Sequence, residues 1–122
     1  MKYVYKVLTQ DDWGKACTEG FINTALDNMD GFVHFSSAKQ LALTIRSYFD
    51  QYKTLVLVQV ETDKLCDRLV FEESGTNDRD GKFPHLYGKL AIEDICKKWT
   101  LKRNAFELPK IVLKESEKID MT

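Results

Sequence analysis

Histidine is scarce in this chain, cysteine is sparse, and long apolar runs are missing. The three cysteines, Cys17, Cys66 and Cys96, are odd in number and widely spaced, with no CxxC pair and no Cys/His cluster. That pattern argues against a zinc site and fits free thiols in a reducing compartment. No apolar stretch approaches the roughly 20 residues that a membrane span needs. The start, "MKYVYKVL", has no signal-peptide core, so a cytoplasmic protein is expected. An excess of charge is missing too: 18 Lys and Arg balance 19 Asp and Glu, a formal net charge of -1. Neither a nucleic-acid duplex nor a membrane gains an electrostatic argument as partner, although a small nucleotide needs only a local site. P-loop, GxGxxG, GxSxG and HExxH patterns are all absent, and no metal is expected.

What is present is one globular domain's worth of chain. At 122 residues, 43% hydrophobic and 30% charged, it has the length to bury roughly 65% of its unfolded surface. "YVYKVL" (3–8) reads as a strand, and Thr9 with Asp12 reads as the cap of a helix carrying Trp13, Ala16 and Cys17. "NTALDNMD" reads as a polar stretch ending in an Asp30-Gly31 turn. "GFVHFS" (31–36) reads as a second strand, with Phe32, His34 and Ser36 on one face. "SAKQ" (37–40) reads as a capping box that starts an amphipathic helix running to about Tyr48–Asp50.

Further on, "TLVLVQV" (54–60) reads as a central strand, apolar on both faces. "LVFEE" (69–73) reads as a strand, "SGTNDRDG" (74–81) as a polar loop, and "KFPHLYG" as an extended piece that Pro84 places at a sheet edge or a strand start. A turn at "AIEDI" and a closing strand at 97–103 complete the order. The expected class is α+β, with split mixed or antiparallel sheets and two or three helices. The domain is expected over 1–104, followed by a charged C-terminal extension, 105–122.

The residues able to do chemistry fall into three groups. His34, Ser36 and Ser37 lie where a strand meets a helix N-terminus, a place that favours an anion over Ser36, Ser37 and the amides of residues 38–40, with Gln40 in the same turn. Alternatively, Ser37 is only a cap and His34 a packed strand histidine. Phe83, His85 and Tyr87 share one side of an extended piece, a wall for a nucleobase or ribose, and Gly88 permits a close backbone approach. The other reading is an aromatic core segment. Glu72, at a strand end, is either a base or ribose acceptor or a solvated charge. Arg79, in the loop, is either a phosphate contact or a surface charge.

"DGFVHFSSAKQ" (30–40), "TIRSYF", "TLVLVQV" and "FPHLYGKL" (83–90), together with "YKVLTQDDWGKACTEGFI", resemble the small bacterial proteins of the DUF952 family over about residues 3–100. That resemblance implies a fold similar to the ADP-ribosyltransferases, two sheet layers around an NAD-binding cleft. It implies NAD or a related nucleotide as ligand, catalytic roles for His34, His85 and Glu72, and ligand contacts from Ser36, Ser37, Gln40, Phe83, Tyr87, Gly88 and Arg79. In the ADP-ribosyltransferases the first strand offers a His or Arg; "YVYKVL" offers neither. The expected activity is glycosyl or phosphoryl transfer on a nucleotide-like ligand, by a monomer or weak dimer. The other readings are a non-catalytic binding module and a two-histidine phosphoesterase built on His34-x-Ser36 and His85-x-Tyr87.

Overall fold

A computed structural model describes residues 2–73, 81–102 and 108–117. Residues 74–80, read above as a polar loop with Arg79, and residues 103–107 and 118–122 lie outside the described residues. The chain opens with β1 (Tyr3–Thr9) and α1 (Gln10–Glu19). Thr9 Oγ1 accepts from the Asp12 N–H at 3.1 Å, as the cap pattern required. The stretch read as polar and irregular instead forms α2 (Ala25–Asp30). Its cap repeats the Thr9–Asp12 spacing: Thr24 Oγ1 accepts from the Asp27 N–H at 3.2 Å. Gly31, at φ +84°, ends the helix in a left-handed conformation that a side chain would strain.

The strand expected over 31–36 is shortened to β2 (Val33–His34). After His34 the chain crosses between sheets: Ser36 exchanges two backbone hydrogen bonds with Tyr5, at 2.7 and 2.8 Å. A 3-10 turn at Ala38–Gln40 leads into α3 (Leu41–Tyr48). Then follow β3 (Thr54–Glu61), the single turn α4 (Thr62–Leu65), β4 (Leu69–Glu73), β5 (Lys82–Leu86), β6 (Ile95–Lys102) and α5 (Lys110–Glu117).

Two three-stranded sheets result, in the orders β1-β3-β6 and β2-β5-β4. Every pairing in them is antiparallel. The class is α+β. β3 is central in the first sheet, and both its faces are covered. Val56, Val58 and Val60 meet Val4 and Leu8 of β1, Ala16 of α1, and Val33, Phe35 and Leu86 of the second sheet. On the other face Leu55 and Leu57 pack with Tyr5 and Val7 against Leu41 of α3 and Val112 of α5. Each such side chain contributes roughly 1.5–3 kcal/mol by its burial. The chain beyond residue 104 thus supplies part of the core, through the fully buried Val112.

Pro84 stands in the middle strand of the second sheet, not at an edge or a strand start. A strand residue turns its N–H and C=O to the same side. The Pro84 carbonyl accepts from Phe35 at 3.0 Å, so its missing N–H also faces β2. The β2 ladder has only the pairs Val33–Leu86 and His34–His85, so the proline removes no ladder bond.

Candidate functional site

The register of the second sheet places His34 directly opposite His85. Their ring centroids are 5.5 Å apart, and Phe32 stacks on His85 at 4.0 Å and tilts against His34 at 4.6 Å. Both histidines line a cleft of about 480 Å³, a volume suited to a small ligand. The cleft runs along β1 between α2 and α3, from the two histidines to Phe49 and Tyr52.

Each imidazole is held by carboxylates. His34 Nδ1 lies 2.6 Å from Asp27 Oδ1 and Nε2 lies 2.8 Å from Asp30 Oδ2. An ionised carboxylate only accepts, so both contacts are hydrogen bonds only when both ring nitrogens carry hydrogen. Asp27 also accepts from the His34 backbone N–H at 3.1 Å. Beneath it lies Lys6, a buried lysine whose Nζ is 3.0 Å from Asp27 Oδ2 and donates to His34 O at 2.9 Å. Burial pushes the Lys6 ammonium below its usual range, opposed by the charge of Asp27 and its hydrogen bond. Burial also pushes the Asp27 carboxyl up. The His34 hydrogen bond and the charge and hydrogen bond of Lys6 outweigh that burial and hold it at about 2.

His85 is buried, and its Nδ1 lies 2.9 Å from Glu72 Oε1. The same oxygen accepts from Tyr87 Oη at 2.7 Å. The Tyr87 hydrogen bond, and then that of His85, hold the Glu72 carboxyl below its usual range, and Glu72 in turn raises the Tyr87 phenol. A carboxylate on Nδ1 selects the tautomer with hydrogen there and leaves Nε2 with its lone pair. Among the described residues Nε2 has no hydrogen-bond partner. His85 is thus a carboxylate-oriented imidazole, and His34 beside it is an imidazole held between two acceptors.

The other expected residues divide. Ser36 and Phe83 line the cleft, and Ser36 Oγ shares a 2.7 Å hydrogen bond with Thr44 Oγ1. Glu72 and Tyr87 stand behind His85 rather than on the cleft wall. Ser37 and Gln40 serve the chain itself. Gln40 Oε1 accepts from the Ser37 N–H and its Nε2 donates to Lys82 O, both at 2.9 Å. Of the expected anion seat over Ser36, Ser37 and the amides of residues 38–40, the Gln40 amide donates to Ser37 O at 3.1 Å, and the element that follows Ser37 is a three-residue 3-10 turn. Gly88 makes its close approach to Arg68, whose Nη1 lies 2.9 Å from where a Cβ would stand. Arg79 lies outside the described residues. Among the described residues no group of three His, Cys, Asp or Glu could hold a metal.

Lys6, Asp27, Asp30 and Phe32 belong to this site and were not singled out in the sequence. A signal for Lys6 was there: one ammonium inside "YVYKVL" demands a buried partner. The repeated Thr-x-x-Asp cap at Thr24–Asp27 was the matching signal for α2 and its carboxylates.

The chain belongs to the family described as "Protein of unknown function (DUF952)", whose model matches residues 7–98. It is similar to the crystal structure of protein CC0527 from Caulobacter crescentus: 32% identity, 82% of this chain and 86% of that chain covered, TM-score 0.74. The solution NMR structure of CC0527 gives 35% identity, 84% and 86% coverage, and a TM-score of 0.70. No curated protein matches the chain. Among the described residues, no helix is long and apolar enough to cross a membrane.

Proposed function

We propose that the cleft binds a nucleotide-like ligand, NAD or ADP-ribose in class, and that the paired histidines act as acid and base in glycosyl transfer or hydrolysis at its ribosyl bond. The observation that carries this reading is the cross-strand pair itself, two carboxylate-bound imidazoles 5.5 Å apart on one cleft wall. His85, oriented by Glu72, takes at Nε2 the proton of the attacking water or acceptor hydroxyl, whose oxygen bonds the ribose C1 as the C1–N bond breaks and the base leaves with that bond's electron pair; His34 donates a hydrogen bond to the leaving base. Asp27, Asp30 and Glu72 make the surroundings acidic, and acidic surroundings favour the positive charge that develops at a ribose carbon as its glycosidic bond breaks. They disfavour a phosphate as the reacting centre, and Ser36 and Tyr87 are bonded to Thr44 and Glu72. The two-histidine phosphoesterase reading is therefore the weaker one. In place of the ADP-ribosyltransferases' first-strand His or Arg this chain has Lys6, which is spent on Asp27.

A second reading is a non-catalytic binding module. It is favoured by the engagement of both His34 nitrogens. Calorimetric titration with NAD, ADP-ribose and AMP, followed by product analysis, separates the readings. Binding with release of a free base supports the enzyme; binding without turnover supports the module; no binding at high protein concentration contradicts both.

A further inference from the structure

β4 is an outer strand of the second sheet, and among the described residues no strand pairs with its outer edge. Phe71 lies opposite Pro84, whose carbonyl faces Phe35, so this pair makes no ladder bond. Phe71 consequently aims its own N–H and C=O away from β5, and Leu69 and Glu73 do the same. The Leu69 N–H is taken by Cys66 O; the other outward groups have no partner among the described residues. Natural edges carry charges, Pro or a bulge to prevent pairing. "LVFEE" has no Lys, no Pro and no bulge in its register with β5; its two charges, Glu72 and Glu73, stand together at one end, and Val70 and Phe71 are 39% and 40% exposed.

We propose that this edge pairs with the same edge of a second copy of the chain, antiparallel, about a two-fold axis through Val70. That register sets Val70 against Val70 of the partner subunit, and Leu69 against Phe71 of the partner subunit on the opposite face. It sets Arg68 against Glu72 of the partner subunit, one ion pair on each side of the axis. Asp67 and Arg68 belong to a 3-10 turn, so the ladder ends at Leu69 and Arg68 reaches Glu72 of the partner subunit from that turn. Centring the pairing on Phe71 instead sets an apolar Val70 against a carboxylate, so charge complementarity selects the Val70 register. Arg68 is exposed, and its guanidinium donates to Lys89 O at a long 3.4 Å. Across the axis it meets the carboxylate that orients His85. The partner thereby contributes a residue to the site, and both histidine faces lie on the same side of a continuous six-stranded sheet. Two short strands bury less than the roughly 1,200 Å² of a lasting complex, so the association is reversible and concentration-dependent.

Facing residues of a non-hydrogen-bonded antiparallel pair lie about 4.5 Å apart at Cα, within disulfide reach. The test is Val70→Cys in a chain whose Cys17, Cys66 and Cys96 are serine. Mild oxidation is expected to give a covalent dimer. Sedimentation equilibrium of the unsubstituted chain is expected to show mass rising toward twice the monomer with concentration, and Arg68→Glu to abolish the rise. A chain that stays monomeric at millimolar concentration, with no Val70→Cys cross-link, overturns the proposal. So does a Phe71→Cys chain that cross-links in preference to Val70→Cys. Neither outcome depends on what the cleft binds.

Discussion

His34 and His85 face each other across the β2–β5 ladder, and each is tied by Nδ1 to a carboxylate from a different element, Asp27 of α2 and Glu72 of β4. A two-residue strand therefore suffices to bring three separate elements onto one pair of imidazoles.

If these rings are acid and base, removing either must cost more than a contact. His34→Gln and His85→Gln are each expected to lower turnover of the bound nucleotide about 100-fold or more. His34→Gln should cost part of the stability that the lowered Asp27 carboxyl supplies, because the His34 hydrogen bond is the foremost contact lowering it. Glu72→Gln should act mainly through the tautomer of His85, lowering kcat more than it raises KM. Steady-state kinetics beside thermal melts check all three; equal losses in stability and rate would assign the rings a packing role.

Lys6 and Asp27 are 5% and 6% exposed and lie within 3.0 Å of one another. Lys6→Met strands a buried carboxylate and is expected to cost about 3–5 kcal/mol in urea unfolding. Replacing both, with Asp27→Leu, should cost less than the two single losses added together. Simple additivity would show that the pair is not coupled.

The same carboxylate makes stability depend on acid. Asp27 is held at about 2 in the folded chain, below its ordinary 3.8. A lowered carboxyl adds stability that is present above about pH 4 and fades as pH falls toward 2. Its size is on the order of 2 kcal/mol. Asp27→Asn should be less stable at pH 7 and should flatten the fall between pH 4 and pH 2. Unfolding free energies across that window check it; an unchanged slope would move the acid sensitivity elsewhere.

Gln40 tests a negative. Its side chain joins the Ser37 amide to Lys82 O, so Gln40→Ala should cost about 1 kcal/mol or more. Ligand affinity should stay unchanged if Ser37 and Gln40 serve only the fold. A tenfold loss of affinity without loss of stability would restore them to the site.

Much of the frame was legible in the sequence, because periodicity and caps are local. The apolar run on both faces of "TLVLVQV" marked the central strand, and Thr9–Asp12 marked the start of α1. The pairing of His34 with His85 was only half legible. Each lay in a readable extended piece, but the register that faces them depends on how β2 and β5 dock, which is a long-range matter. Asp27 was not legible: α2 is six residues long and polar, and its carboxylate matters only because Lys6, on a strand 21 positions earlier, reaches it. Pro84 misled because a proline inside a sheet suggests an edge, whereas here the neighbouring strand stops before its missing donor is needed.

The account stands on both histidines meeting one ligand. Proton–nitrogen correlation spectra of the two imidazole rings, recorded while ADP-ribose and NAD are titrated in, test it most directly. The signals of His34 and His85 are expected to shift together and saturate at the same ligand concentration, with His85 keeping its hydrogen on Nδ1. Shifts confined to one ring, or none for either ligand, would contradict it.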